Sequence, residues 1–178
     1  MTDRPASLAH RIYARAHLTG EFRLRSGKVS SEYFDKYLFE SDPELLHAVG
    51  QALVERLPEG VVDALAGLEL GGVPLATMAS QLSGVPALFV RKEAKVYGTC
   101  RLAEGGEVDG QRLVVVEDVI TSGGQVIQSC RDLRERGADI VTVLCVIDRE
   151  EGGRENLAEQ KLSLTSVFTM AQLRAAAG

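Results

Sequence analysis

Apolar residues in this chain fall into short runs separated by segments of helical period. Residues 62–66, 87–90, 113–116 and 140–147 read as strands; 87–90 and 113–116 are wholly apolar, and Asp63 and Thr142 are the polar residues in the other two, as expected of strands covered on both faces. Residues 74–82 and 125–136 read as helices between them, with Gly137 ending the second. Upstream, residues 6–17 read as a short helix, and residues 21–34 as a hairpin turning at Ser26-Gly27-Lys28. Ser41-Asp42-Pro43-Glu44 reads as a helix start, with Ser41 as cap and Glu44 reaching back in a capping box. That helix is expected to run to residue 57, where Pro58 stops it. Residues 162–168 can add a last strand, with Thr169 capping a short terminal helix. The order β-α-β-β-α-β predicts an α/β fold, a central mainly parallel sheet flanked by helices. Two segments stand outside it. Residues 1–40 could form a lid over the strand ends, and residues 91–110 form a long polar connection of the length that usually carries function.

One run changes the picture from fold to chemistry. The apolar stretch 113–116 ends in Glu117 and Asp118, continues through Val119 and Ile120, and turns at Thr121-Ser122-Gly123-Gly124 before the helix that begins with Gln125. The expected result is two carboxylates at the carboxyl end of a buried strand, where open α/β sheets bind ligands, facing solvent. The small turn residues let an anion approach the backbone closely, and Gly123 and Gly124 permit positive φ. The following helix starts with unpaired N–H groups and a partial positive charge, a ready phosphate site. N–H groups for phosphate and carboxylates for ribose hydroxyls suggest a phosphorylated sugar. No GxxxxGK[ST] is present, so the chain is not a P-loop ATPase by motif.

Composition narrows the classes further. With 178 residues and 45% hydrophobic content, the chain can bury the core of one domain. A net charge of −5 argues against a general nucleic-acid binder. No apolar run approaches a membrane span, and the first residues lack the apolar stretch of a signal peptide, so no membrane association is expected and the cytoplasm is the expected location. Cys100, Cys130 and Cys145 suit neither a disulfide framework nor a metal site. Cys130 and Cys145 read as core; Cys100 lies in a polar, basic loop where a thiol can be reactive. His10, His17 and His47 read as surface or packing residues in helix-like segments, and no protein metal ligand is assigned.

The run from Glu117 to Gly124 resembles the phosphoribosyl pyrophosphate (PRPP) signature of the type I phosphoribosyltransferases: four apolar residues, an acidic pair, two apolar residues and Thr-Ser-Gly-Gly. Arg91-Lys92-Glu93-Ala94-Lys95, followed by Tyr97-Gly98-Thr99, resembles the catalytic loop of the orotate-using branch and not that of its purine-using relatives. Arg25-Ser26-Gly27 with Tyr33-Phe34-Asp35 resembles that branch's amino-terminal motif, with Arg25 in the usual lysine position. Gly67-Leu68-Glu69-Leu70-Gly71-Gly72 resembles its pyrophosphate loop, and Asp148-Arg149 its Asp-Arg pair. The likeness spans residues 20–150 in the expected order.

The resemblance implies a type I phosphoribosyltransferase fold over residues 1–178 as one domain, with an N-terminal hood over about 1–40 and a mobile catalytic loop at 91–110. It implies orotate phosphoribosyltransferase activity, forming orotidine 5′-monophosphate and pyrophosphate from orotate and PRPP with Mg²⁺. Lys95, Glu117 and Asp118 would be catalytic. PRPP would be bound by Arg25, Leu70, Gly71, Arg91, Lys92, Lys95, Tyr97, Glu117, Asp118, Val119, Ile120, Thr121, Ser122, Gly123, Gly124 and Gln125. Tyr33, Phe34, Thr121 and Arg149 would hold orotate. Tyr97 stands where many members have His; a tyrosine donates a hydrogen bond but is a poor acid near pH 7. The resemblance further implies a homodimer with shared active sites. A purine phosphoribosyltransferase and a non-catalytic PRPP-sensing regulator are the competing readings; the cations Arg25 and Arg149 and the basic loop weigh against the first. The second should show a helix-turn-helix or a basic face, and neither is visible.

Overall fold

A computed structural model describes residues 6–23, 27–93 and 102–178. Arg25, Lys95, Tyr97 and Cys100 lie outside these residues.

A helix, α1 (Leu8–Ala16), leads into an antiparallel hairpin, β1 (His17–Arg23) and β2 (Val29–Phe34). Ser7 caps α1, and Ile12 and Ala16 are fully buried beneath it. His17 opens β1 instead of closing the helix and meets the Glu32 carboxylate across the hairpin at 2.8 Å. A one-turn helix unmarked in the sequence pattern, α2 (Tyr37–Glu40), precedes α3 (Pro43–Val54). Asp42, not Ser41, caps α3: its carboxylate accepts from the N–H groups of Glu44 and Leu45, with Pro43 in the first turn.

The main sheet has six strands in the order β5-β4-β3-β6-β7-β8. These are β3 (Ala64–Leu68), β4 (Ala87–Val90), β5 (Ala103–Glu104), β6 (Arg112–Ile120), β7 (Asp139–Asp148) and β8 (Leu164–Thr169). All pairings are parallel except β4 with β5. The connection 91–110 is therefore not loop throughout, because Ala103–Glu104 forms the sheet's antiparallel edge and buries Leu102 and Ala103. The apolar runs have no polar face because helices cover both sides. Helices α4 (Gly72–Ser83), α3, α1 and the terminal α7 (Met170–Ala177) close one core, around Leu65, Val114, Val116 and Leu144. Helices α5 (Gly124–Arg134) and α6 (Gly153–Glu159) close the other, around Ala66, Val115, Val143 and Cys145. Gly137 ends the α5 region at φ +88°, and Thr169 caps α7 in a capping box with Gln172. Burial pushes the Cys130 thiol up to about 12 and that of Cys145 up as well, so both are inert core thiols. Among the described residues, no helix is long and apolar enough to cross a membrane.

The strand order sets the site. The chain leaves β3 towards β4 on one side, then returns to lay β6 against the other side of β3. The connections after β3 and β6 thus diverge and open a crevice at their carboxyl ends, the switch point at which such sheets bind ligands.

Candidate active site at the β3–β6 switch point

β6 is longer than the apolar run that marks it. It continues through Glu117, Asp118, Val119 and Ile120, which keep pairing with β7 as far as Ile120 opposite Asp148. The acidic pair is therefore part of the strand. Asp118 does not face solvent as the sequence suggests; its exposure is 0%. One oxygen accepts from the Val119 N–H at 2.5 Å. The other lies against the backbone of Gly71, where an added Cβ would stand 1.5 Å from it, and meets Lys36 Nζ at 2.5 Å. Gly71 is required here for space: any side chain would displace the carboxylate.

Three acids crowd this point. Glu40 is buried with Oε1 unpartnered, and burial followed by the Asp118 charge pushes its carboxyl up to about 9. Glu117 is raised well above the usual carboxylate range, first by burial and then by Asp118. Burial alone would lower the Lys36 ammonium. Its hydrogen bond and charge contact with Asp118, joined by Glu117, outweigh burial and raise it. At neutral pH the Lys36–Asp118 ion pair lies beside Glu40, which retains its proton, and Glu117, whose carboxyl is raised in the same direction.

The turn after β6 follows the sequence reading. Gly123 takes φ +77° and opens α5, whereas Gly124 does not need positive φ. Thr121, Ser122, Gly124 and Gln125 are exposed at the helix start, while the Ile120 side chain is core. The turn is braced from α6, where Asn156 donates to the Ser122 carbonyl at 2.9 Å and Gly153 packs on the Thr121 carbonyl. Opposite it, residues 69–71 follow β3, with a cis Glu69–Leu70 peptide and Leu70 exposed at 65%. The Glu69 carboxylate accepts from the Lys92 N–H at 2.7 Å, tying this turn to the root of the basic segment. Arg91 pairs with Glu104 at 3.4 Å.

Beside the crevice a cavity of about 170 Å³ is lined by Tyr33, Phe34 and Arg149, together with His17, Met170 and Arg174 among others. Three of the four residues assigned to orotate thus meet in one place; Thr121 is not in the lining. Arg149 stands on a turn built by buried Asp148, whose oxygens accept from the Glu150 N–H at 2.9 Å and from Arg154 at 3.1 Å. Its guanidinium pairs with Glu151 at 2.9 Å.

Sequence reasoning missed Lys36, Glu40, Asn156 and Arg174. Lys36 and Glu40 stand four apart, the spacing of one helical face, which is the signal that could have grouped them. Nothing local marks Asn156 or Arg174, because each acts on a distant segment.

Comparison with known proteins fits this geometry. The phosphoribosyl transferase domain family matches residues 39–170. An orotate phosphoribosyltransferase of a Nocardioides species is 55% identical over 171 residues, covering 96% of this chain and 95% of that protein. The orotate phosphoribosyltransferase of Mycobacterium tuberculosis, crystallised with Fe(III) dicitrate, superposes with a TM-score of 0.86 at 32% identity, covering 94% of this chain and 97% of the other. The same enzyme crystallised with PRPP gives 0.81 at 29% identity, with 95% and 98% covered. The chain belongs to the orotate phosphoribosyltransferase family, with the type I phosphoribosyltransferase fold.

Proposed function

We propose that this chain transfers the 5-phosphoribosyl group of PRPP to orotate, giving orotidine 5′-monophosphate and pyrophosphate in pyrimidine biosynthesis. The observation that carries the reading is the continuity of one strand: β6 delivers Glu117 and Asp118 and then the Gly123 turn at the start of α5, with Asp118 against Gly71 across the switch point. A phosphate would sit at the α5 start and a ribose beside the acids.

In the transfer, the bond from the anomeric carbon to pyrophosphate breaks and one to a pyrimidine ring nitrogen forms. The transition state is oxocarbenium-like, as in other substitutions at such carbons. Asp118 accepts from a ribose hydroxyl and stabilises the positive charge growing on the ring; Glu117 contacts the neighbouring hydroxyl. The N–H groups of residues 121–125 hold the 5′-phosphate. Arg149 faces the orotate anion, with Tyr33 and Phe34 beside the ring. Arg25, Arg91, Lys92, Lys95 and Tyr97 are assigned to the pyrophosphate. Mg²⁺ would be carried in by PRPP oxygens, and no residue of this chain is assigned to it. When bound, Mg²⁺ would neutralise charge on the leaving pyrophosphate.

The whole chain reads as one such domain, acting in the cytoplasm as a homodimer with shared sites. Orotate consumption is expected to need both PRPP and a divalent cation, with uracil and adenine poor substitutes; equal turnover of adenine overturns the reading. If Lys95 acts on the neighbouring site, mixing inactive Lys95→Ala and Asp118→Asn proteins restores about a quarter of wild-type activity by random reassortment. Proven mixed dimers without recovery remove that role.

A further inference from the structure

We propose that Lys36 is a positioning residue for the transfer reaction, holding the Asp118 carboxylate towards the ribose and locking the segment that carries Tyr33 and Phe34 onto it. The proposal rests on the transferase reading above.

The argument begins with space. Asp118 is wholly buried, and its outer oxygen has Gly71 backbone on one side and Lys36 on the other. A buried carboxylate is costly unless a counter-charge and hydrogen bonds compensate it. Among the described residues, Lys36 is the cation paired with it, and burial with the Asp118 charge raises both neighbouring carboxyls, Glu40 and Glu117. Without Lys36, Asp118 has two reliefs: rotating away or taking up a proton. Either removes the acceptor that the ribose needs.

The second part is connectivity. Lys36 follows β2 by two residues. Tyr33 and Phe34, at the end of β2, line the cavity with Arg149. Asp35 fixes the bend between them: its N–H bonds the Ala16 carbonyl at 2.8 Å, and its carboxylate accepts from the Tyr37 N–H at 3.1 Å. Four consecutive residues therefore reach both halves of the site, the aromatic pair towards the pyrimidine and Lys36 towards the ribose acid. The Lys36 ammonium also lies 5.2 Å from the Tyr37 ring centroid, which narrows the positions open to its flexible stem. An ion pair serving stability alone would not need to join these two surfaces.

The role separates from a purely structural one in a double-mutant cycle read in turnover. Wild type is first shown to consume orotate with PRPP; a wild type without that activity rejects the transferase reading itself and this proposal with it. In an active background, Lys36→Met is expected to lower kcat by about 30-fold, with the KM for PRPP changing about 3-fold or less, because the contact it supports strengthens in the transition state. In an Asp118→Asn background the same substitution should cost no more than about 2-fold, since a residue that acts through Asp118 has nothing left to position. Lys36→Gln replaces Lys36→Met in the cycle if the latter does not fold, and the Asp118→Asn partner removes the uncompensated charge in either case. A loss of equal size in both backgrounds, or full activity in the single mutant, overturns the proposal.

Discussion

β6 and β7 lie side by side, and each carries a buried aspartate near its carboxyl end, yet the two do different work. Asp148 spends both oxygens on local construction, accepting from the Glu150 N–H and from Arg154. That fixes a turn with Glu150 at φ +61° and presents Arg149, 39% exposed at its side chain, to the cavity. Asp118 has one bond to its own strand, and its other oxygen is held by a lysine from a distant segment, beside Glu40 and Glu117, whose carboxyls are both raised. The difference teaches that burial does not assign a carboxylate its role. A buried acid satisfied by fixed backbone and a neighbouring arginine is scaffold. One balanced by a single flexible cation, at a switch point, remains free to meet a substrate.

Substitutions at the two aspartates should separate these roles. The largest effect is expected from Asp118→Asn, a fall in kcat of about 100-fold or more, because a preorganised electrostatic contact is lost. Steady-state kinetics on protein shown to be folded checks this, and near-normal turnover would remove Asp118 from the chemistry. Since Asp118 is buried and Lys36 loses its partner, some loss of stability should accompany the change, unlike at an exposed strand end. Asp148→Asn should instead act on the scaffold. A loss of about 1–3 kcal/mol is expected, towards the lower end because Arg154 is half exposed. Denaturant unfolding measures it, and an unchanged midpoint would show that the turn holds without the ion pair.

Arg149→Ala should sharpen the contrast by leaving the scaffold intact. The KM for orotate should rise about 10-fold, with that for PRPP nearly unchanged, as expected when one charge-assisted contact to an anion is removed. Equal changes in both constants would place Arg149 elsewhere. The smallest effect concerns Glu40. Its carboxyl keeps its proton in the folded protein up to about 9 and loses it near 4.5 when unfolded. The folded state binds the extra proton between those values, so stability contributed by this group falls as pH rises through that window. The Asp118 charge adds to this, Lys36 opposes it, and Asp35 adds a weaker repulsion. Glu40→Gln should flatten the decline in Tm from about pH 5 to about pH 9, though Glu117, shifted the same way, keeps part of it. An unchanged slope would show that Glu40 does not carry the proton.

The sequence by itself determined the layers, the strand that bears the chemistry and the turn that follows it. Apolar runs such as residues 113–116 and 140–147, the second interrupted only by Thr142, suit strands covered on both faces, and Gly123 supplies the left-handed turn its position requires. These features are local and so can be read along the chain. Tertiary structure alone decided that β6 runs on through Glu117 and Asp118, because pairing with β7 outweighs the polarity of those residues. It also decided that Asp42 takes the cap from Ser41, that Ala103–Glu104 closes the sheet edge, and that Asp118 is buried under Lys36. A carboxylate's surroundings come from segments as distant in the chain as Lys36 is from Asp118, and the local pattern around Glu117 and Asp118 contains no record of them.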